Sequence, residues 1–145
     1  PPGEKELVPR PPPRPRPYLF PNSTPPMIAA AGIKMFEMMS ETNALQDKLH
    51  ANTEYFIGKM KAAGFDIKPT QSAICAVMLY DAPLSQKMAA RLQEEGIYVT
   101  GFYYPVVPKG QARIRVQVSA GHEKEHLDKC VEAFTKIGKE LGVIK

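Results

Sequence analysis

The sequence predicts an α+β fold, in which a small antiparallel sheet has helices packed on one face. Two kinds of apolar pattern indicate this fold class. Four segments repeat apolar residues at helical spacing, and three shorter segments have the length and composition of strands. Along the chain they give the order helix, helix, strand, helix, strand, strand, helix. The 145 residues are enough for one domain with its own hydrophobic core.

The N-terminal segment differs in composition from the rest of the chain. Eleven of the fifteen prolines lie in residues 1–26, and the stretch Pro9–Pro17 reads PRPPPRPRP. Proline lacks an N–H donor and fixes φ, so this stretch favours extended polyproline II over helix or central strand. We therefore predict an extended or disordered leader over residues 1–17 and a folded domain over residues 18–145.

The two predicted N-terminal helices have recognisable ends. Thr24 followed by Pro25 is typical of a helix start, with threonine as the N-cap and proline at the first helical position. Apolar residues at helical spacing follow as far as Met38. After a polar break, a second helical stripe leads to Gly64, which suits the position just beyond a helix C-terminus.

The remaining elements follow in close succession. Residues 73–80 form a continuous apolar run of strand length, and Pro83 opens a helix that stops at Gly96. Residues 97–104 and 112–119 are predicted strands, joined by a proline-rich loop. An amphipathic stripe from Leu127 onward defines the C-terminal helix.

Composition argues against several classes of partner. The net charge is +4, of which the first seventeen residues contribute +2 (four basic minus two acidic), so the folded part is nearly balanced. A nucleic-acid surface is therefore not expected. No apolar run reaches the ~18 residues of a membrane span. Cys75 and Cys130 lie in apolar surroundings, which predicts buried free thiols in a reducing compartment.

The strand at residues 112–119 carries the main candidate for binding. Its apolar residues alternate with Arg113, Arg115, Gln117 and Ser119, so one face enters the core and the other carries two arginines. The second face could simply be solvated. If it instead faces a cleft, an arginine offers a planar fork for a carboxylate or phosphate. The pattern alone leaves both interpretations open.

A metal site is not predicted. His122, His126 and Cys130 follow one another at intervals of four residues, which places the first and last ~12 Å apart along a helix. One zinc ion cannot bind all three at bonds of ~2 Å. The chain also lacks a P-loop, a Gly-x-Ser-x-Gly motif and a Gly-x-Gly-x-x-Gly motif.

Four stretches resemble the α-oxoamine synthase family, and specifically its glycine acetyltransferase branch. They are Arg16–Phe20 (RPYLF), Gly96–Phe102 (GIYVTGF), Tyr104–Gln117 (YPVVPKGQARIRVQ) and Val131–Ile144 (VEAFTKIGKELGVI). The similarity covers residues 16–145. It implies the C-terminal small domain of a fold-type I pyridoxal-phosphate (PLP) enzyme, usually a homodimer, that condenses glycine with acetyl-CoA to 2-amino-3-ketobutyrate and CoA.

The resemblance also assigns roles to residues. Arg115 corresponds to the arginine that binds the glycine carboxylate, whereas Arg113 is assigned to structure. The family has a serine or threonine after the RPYLF segment that contacts the cofactor phosphate of the neighbouring subunit. Pro21 stands at that position here, so Ser23 or Thr24 would have to substitute.

No lysine of this chain lies in the family's Gly-Lys motif, which belongs to the large domain. The chain is therefore expected to contain no catalytic residue and to be inactive by itself. Two alternatives remain: a related enzyme using another amino acid or acyl-CoA, and a non-catalytic module whose PPPRPRP segment binds a proline-recognition domain. By analogy with the family, the compartment would be mitochondrial in a eukaryote and cytoplasmic in a bacterium.

Overall fold

The computed structural model describes residues 24–145 and separates two compact units, one ending at Thr42 and the other spanning Asn43–Lys145. The first unit contains helix α1, Pro26–Glu41. The second contains all strands of the described chain and three helices. In order they are α2 (Ala44–Ala62), β1 (Ile67–Lys68), β2 (Ile74–Tyr80), α3 (Ala82–Glu94), β3 (Thr100–Phe102), β4 (Ala112–Gln117) and α4 (Lys124–Glu140).

The four strands form one antiparallel sheet in the order β1-β2-β4-β3. Strand β4 is central: it pairs with β2 from Ile74 opposite Gln117, and with β3 from Thr100 opposite Arg115. Helices α2, α3 and α4 cover one face of this sheet. The prediction of an α+β fold with a small antiparallel sheet is confirmed.

The hydrophobic core lies between the sheet and these three helices. Val77 of β2 and Ile114 of β4 are fully buried against helical side chains that are themselves fully buried. Alternation along each strand produces this layer, since every second residue points to the same face. The helical contributors with no exposed surface are Phe56 and Met60 of α2, Met88 and Leu92 of α3, and Phe134 and Ile137 of α4.

A glycine allows α3 to approach the edge strand closely. A β-carbon on Gly101 of β3 would lie 3.0 Å from the carbonyl oxygen of Ser85, which is fully buried near the start of α3. That helix begins after Asp81, whose carboxylate accepts a hydrogen bond from the Leu84 backbone N–H at 2.9 Å. The Asp81 cap and the small side chain of Gly101 together fix this helix against the sheet.

Two predicted details are wrong, and one strand was missed. Pro25, not Thr24, is the N-cap of α1, because the residue before a proline is driven out of the helical region and Pro26 follows it. Strand β3 covers only Thr100–Phe102 of the predicted strand 97–104. Strand β1 was not predicted, since its two residues are too few to show an alternating pattern.

Helix α1 differs from the others in that none of its residues is buried. Its large apolar side chains are exposed: Met27 is 74% exposed and Phe36 is 67% exposed. Within residues 24–145, no helix is both long enough and apolar enough to cross a membrane. The leader predicted over residues 1–17 and its boundary lie outside the described residues and stay a prediction.

Both cysteines are free and buried, as predicted. Cys75 lies in β2 and Cys130 in α4, and both belong to the core cluster. Burial disfavours the thiolate and raises the pKa of each thiol to about 11. Neither thiol is therefore ionised to a useful extent near neutral pH.

Candidate functional site

The second face of the sheet is not covered by the helices of the Asn43–Lys145 unit and carries the side chains of the candidate site. Arg115 and Gln117 of β4 are exposed on this face, between the buried residues Ile114, Val116 and Val118. This confirms the alternation that the sequence predicts for β4. The two arginines of the Arg-h-Arg pattern thus lie on the face opposite the core.

Arg115 lies in the middle of this open face. Its cross-strand neighbours are small: Ala76 on β2 and Thr100 on β3. The ring of Phe102, two residues further along β3, lies beneath the guanidinium, with 4.8 Å between the Arg115 Cζ and the ring centroid. This separation lies within the range of a cation–π interaction. The small neighbours leave the guanidinium accessible, while the aromatic ring restricts its orientation.

The partners of the other arginines show what is unusual about Arg115. Arg91 donates to Glu94 at 2.8 Å and to Glu140 at 2.9 Å. Arg113 is only partly exposed and donates from Nε to the Gln111 carbonyl oxygen at 3.2 Å. The Arg115 side chain forms no hydrogen bond or ion pair with any residue of the described chain. It therefore presents an unpaired cation with a full set of donors on the open face.

The two candidate phosphate ligands are not placed equally. Ser23 lies outside the described residues. Thr24 is exposed and lies directly before the N-cap of α1. Pro25 and Pro26 follow it and have no N–H group, so the start of this helix offers fewer backbone donors to an anion than an ordinary helix N-terminus.

The histidines near α4 have structural contacts. Glu123 is the N-cap of α4, and Nδ1 of His126 accepts a hydrogen bond from the Glu123 backbone N–H at 3.1 Å. Nδ1 of His122 accepts from the Ser119 backbone N–H at 3.2 Å. Asn52 reinforces this turn by donating to the Ser119 and His122 carbonyl oxygens. Among residues 24–145, no group of three histidine, cysteine or acidic side chains lies close enough to hold a metal ion.

Sequence reasoning missed the contribution of Phe102. The residue lies in a predicted strand, but its position under Arg115 depends on the register in which Thr100 pairs with Arg115. In an antiparallel pair, residues diagonal to one another remain within reach of long and aromatic side chains. The aromatic residue in the neighbouring predicted strand indicated that a ring could contact Arg115. The sequence does not give the strand register, however, so the contact could not be predicted from it.

Comparison with known proteins identifies relatives over most of the chain. The model of the "Aminotransferase class I and II" family matches residues 13–134. The 2-amino-3-ketobutyrate coenzyme A ligase of Escherichia coli (strain K12) is 58% identical over 131 residues, covering 90% of this chain and 33% of that protein. The mitochondrial protein of the same name from Mus musculus is 49% identical, covering 90% of this chain and 32% of its own length.

Solved structures agree with this similarity. A serine palmitoyltransferase from S. paucimobilis, solved with bound PLP and myriocin, superposes with a TM-score of 0.80 at 30% identity, covering 89% of this chain and 33% of that one. The 8-amino-7-oxononanoate synthase from Francisella tularensis has a TM-score of 0.73 at 24% identity, covering 86% and 36%, which indicates a shared fold. The chain thus spans about a third of the length of the relatives it matches.

Proposed function

The chain belongs to the class I and II aminotransferase family, and from this premise we propose that it is the C-terminal part of a PLP-dependent acyltransferase. The reaction is the condensation of glycine with acetyl-CoA to 2-amino-3-ketobutyrate and CoA. Support comes from the 58% identity to a protein named 2-amino-3-ketobutyrate coenzyme A ligase. That name specifies 2-amino-3-ketobutyrate, the product of the proposed reaction, and coenzyme A, which is released in it.

Arg115 supplies the observation that carries the proposal. An exposed guanidinium without a hydrogen-bond or ion-pair partner among residues 24–145, on an open face of a sheet, suits a carboxylate ligand better than a structural role. In this role Arg115 donates two parallel N–H bonds to the glycine carboxylate. Such a bidentate pair fixes both the position and the plane of the carboxylate, so its main contribution is orientation of the substrate.

Phe102 and the small neighbours of Arg115 support the same role. The ring 4.8 Å from Cζ limits the rotamers of the guanidinium without using any of its N–H donors. Ala76 and Thr100 leave room above the strand for a small amino acid. Arg113, whose Nε is bonded to the Gln111 carbonyl oxygen, keeps the loop before β4 in place.

The described residues fit a substrate-binding role better than a cofactor-binding one. When bound, PLP stabilises the negative charge that develops on the α-carbon of an amino acid. Of the two candidate phosphate ligands, only the Thr24 hydroxyl can be placed, and two prolines follow it. We therefore propose that PLP is held mainly by a large domain outside these 145 residues, and that this chain by itself is inactive.

A related acyltransferase is the second candidate, and one comparison favours keeping it. The 8-amino-7-oxononanoate synthase of Thermosipho melanesiensis is 44% identical over 98% of this chain, although the chain covers only 36% of that protein. Measuring turnover with glycine and with other amino acids, each paired with several acyl-CoA esters, separates the two. A preference for another pair over glycine and acetyl-CoA would select the second candidate.

Assembly and compartment remain part of the proposal. The family analogy favours a homodimer in the complete enzyme. Relatives occur both in bacteria and, under a mitochondrial name, in mammals. The proposed compartment is accordingly cytoplasmic if the source is bacterial and mitochondrial if it is eukaryotic.

The test is Arg115→Lys in the complete enzyme, with Arg113→Lys as the matched control on the same strand. Lysine keeps the charge but cannot form the bidentate pair. Loss of a charge-assisted hydrogen bond costs about 1.5–3 kcal/mol, so the KM for glycine should rise about tenfold or more. The KM for acetyl-CoA should change little, and the control should leave both values near their original level.

Two results would contradict the proposal. An unchanged dependence on glycine in the Arg115→Lys enzyme would remove Arg115 from the site while leaving the acyltransferase assignment intact. Condensation of glycine with acetyl-CoA by the 145-residue chain alone would overturn the claim that the chain is inactive without a further domain.

A further inference from the structure

A second candidate site, which does not include Arg115, lies at the edge of the sheet. The β3–β4 pairing stops at Thr100 opposite Arg115, and the preceding segment, residues 96–99, lies beside the end of β4 without strand pairing. A cavity of about 510 Å³ opens between this segment, the end of β4 and the first turns of α4. Its volume falls within the range of about 300–1,000 Å³ that is usual for small-molecule sites.

The hydrogen-bond pattern of β4 explains why this gap persists. The Val118 N–H donates to the Ala73 carbonyl oxygen, at the β2 side of β4. Backbone groups alternate sides along an antiparallel strand, so those of Gln117 point to the other side. In the β3–β4 register the residue opposite Gln117 is Tyr98. Tyr98 makes no backbone hydrogen bond within the described chain, so the sheet is open at this point and both residues line the cavity.

The cavity combines an apolar interior with several polar groups, of which Lys129 carries a positive charge. Its apolar lining includes Phe56, Val99 and Leu127. Its ionisable lining includes Lys129 and the two histidines, His122 and His126, together with the buried Cys130 thiol; no aspartate or glutamate lines it. Because Nδ1 of each histidine accepts a backbone N–H, Nε2 is the ring nitrogen left to carry a hydrogen. The lysine and histidine side chains thus offer N–H donors and a cation.

Two carboxylates at the borders of these elements are paired with other lysines. Glu123, just before α4, is paired with Lys48, and this contact holds its pKa below the usual value. Glu95, just after α3, is paired with Lys136 at 2.6 Å. Lys129 has no ion-pair partner in the described chain. Glu95 also interacts electrostatically with Lys129, so the positive character of the cavity comes from its own lining, in which no carboxylate of the described chain takes part.

We propose that this cavity is a binding site for an organic anion: a molecule with an apolar body and a carboxylate or phosphate head. The apolar body lies against Ile97, Val99 and Leu127. The anionic head lies at Lys129 and His126. This site does not depend on the acyltransferase proposal, because Arg115 does not line the cavity.

The test uses the 145-residue chain labelled with ¹⁵N and three probes of equal chain length: octanoate, octyl phosphate and octanol. The anionic probes should give saturable chemical-shift changes at the amide groups of residues 96–99, 116–118 and 126–130. Octanol should bind at least about tenfold more weakly, because it lacks the charge that Lys129 recognises. A preference between octanoate and octyl phosphate identifies the head group, and either preference supports the site.

Charge reversal at the cavity provides the decisive comparison. Lys129→Glu should weaken octanoate binding by about tenfold or more, whereas Lys87→Glu makes the same charge change on an exposed position of α3 outside the cavity and should not. His126→Glu places a negative charge at the proposed position of the anionic head and keeps an acceptor at the third position of α4, so the helix cap survives. Thermal unfolding of each variant verifies that it is folded.

Three outcomes would overturn the proposal. One is equal affinity of octanol and octanoate. Another is equal weakening by Lys87→Glu and Lys129→Glu. The third is a set of shifts confined to α1, whose exposed methionines could bind any apolar probe.

Discussion

The two faces of the β-sheet differ in what covers them, although the same strand supplies both. On one face Ile114 and Val116 of β4 are buried under α2, α3 and α4. On the other, Arg115 and Gln117 are exposed, and Ile74 of the neighbouring strand is 41% exposed. A step of one residue along β4 therefore separates a position that determines stability from one that is available for binding. The two can be tested separately with substitutions at adjacent positions.

The largest expected effect is on the covered face. Ile114→Ala removes a fully buried side chain from the core and should lower the free energy of unfolding by about 2–5 kcal/mol. Arg115→Ala, one residue away, should change it by no more than about 0.5 kcal/mol, because the side chain is exposed and has no ion pair. Urea unfolding of both variants measures the two values. Similar losses at both positions would show that the open face is also needed for stability.

A smaller effect measures how tightly the covered side is packed. A β-carbon on Gly138 of α4 would lie 2.7 Å from Cζ of Phe65, so Gly138→Ala should destabilise the fold by about 1–3 kcal/mol. Gly58, in the interior of α2, has no atom within 4 Å of such a carbon. Gly58→Ala should therefore stabilise by up to about 1 kcal/mol through helix propensity. Stabilisation by both changes would mean that Phe65 moves aside easily.

The smallest effect lies on the outer surface of the helical layer. A hydrogen bond from Lys136 is the largest cause that holds the pKa of Glu95 below its usual value. Since the folded-state pKa is the lower one, the pair stabilises the fold above the unfolded-state pKa. This contribution is lost as the pH falls through the folded-state pKa. Lys136→Met should raise the Glu95 pKa, as followed by NMR titration of its carboxyl carbon. An unchanged Glu95 pKa in the Lys136→Met variant would show that the pair between Glu95 and Lys136 is not formed in solution.

The comparison of the two faces also shows where sequence patterns are informative. Alternation along residues 112–119 was sufficient to place Ile114 in the core and Arg115 on the opposite face, because a strand has a period of two residues. Periodicity likewise identified α2, α3 and α4, and Gly64 was predicted at a helix end, where its φ is +98°. Each of these features depends on residues close together in the chain.

Features that depend on pairing between distant segments were not predictable in this way. The two-residue strand β1 exists only because β2 lies beside it, opposite Ile67 and Lys68. The predicted strand 97–104 is shortened to Thr100–Phe102, because Tyr98 makes no backbone hydrogen bond to Gln117, which lies opposite it in β4. The cavity of about 510 Å³ is a consequence of that mismatch and has no signal in the sequence.

The sequence by itself determined which residues are apolar, which helices they form and which side of β4 carries Arg115. Only the tertiary structure decided that the Phe102 ring lies 4.8 Å from the Arg115 guanidinium, that this guanidinium has no partner in the described chain, and that α1 buries none of its residues. The physical reason is that backbone periodicity is a local property, fixed by residues a few positions apart. Strand register and side-chain partners are fixed by contacts between segments far apart in the chain.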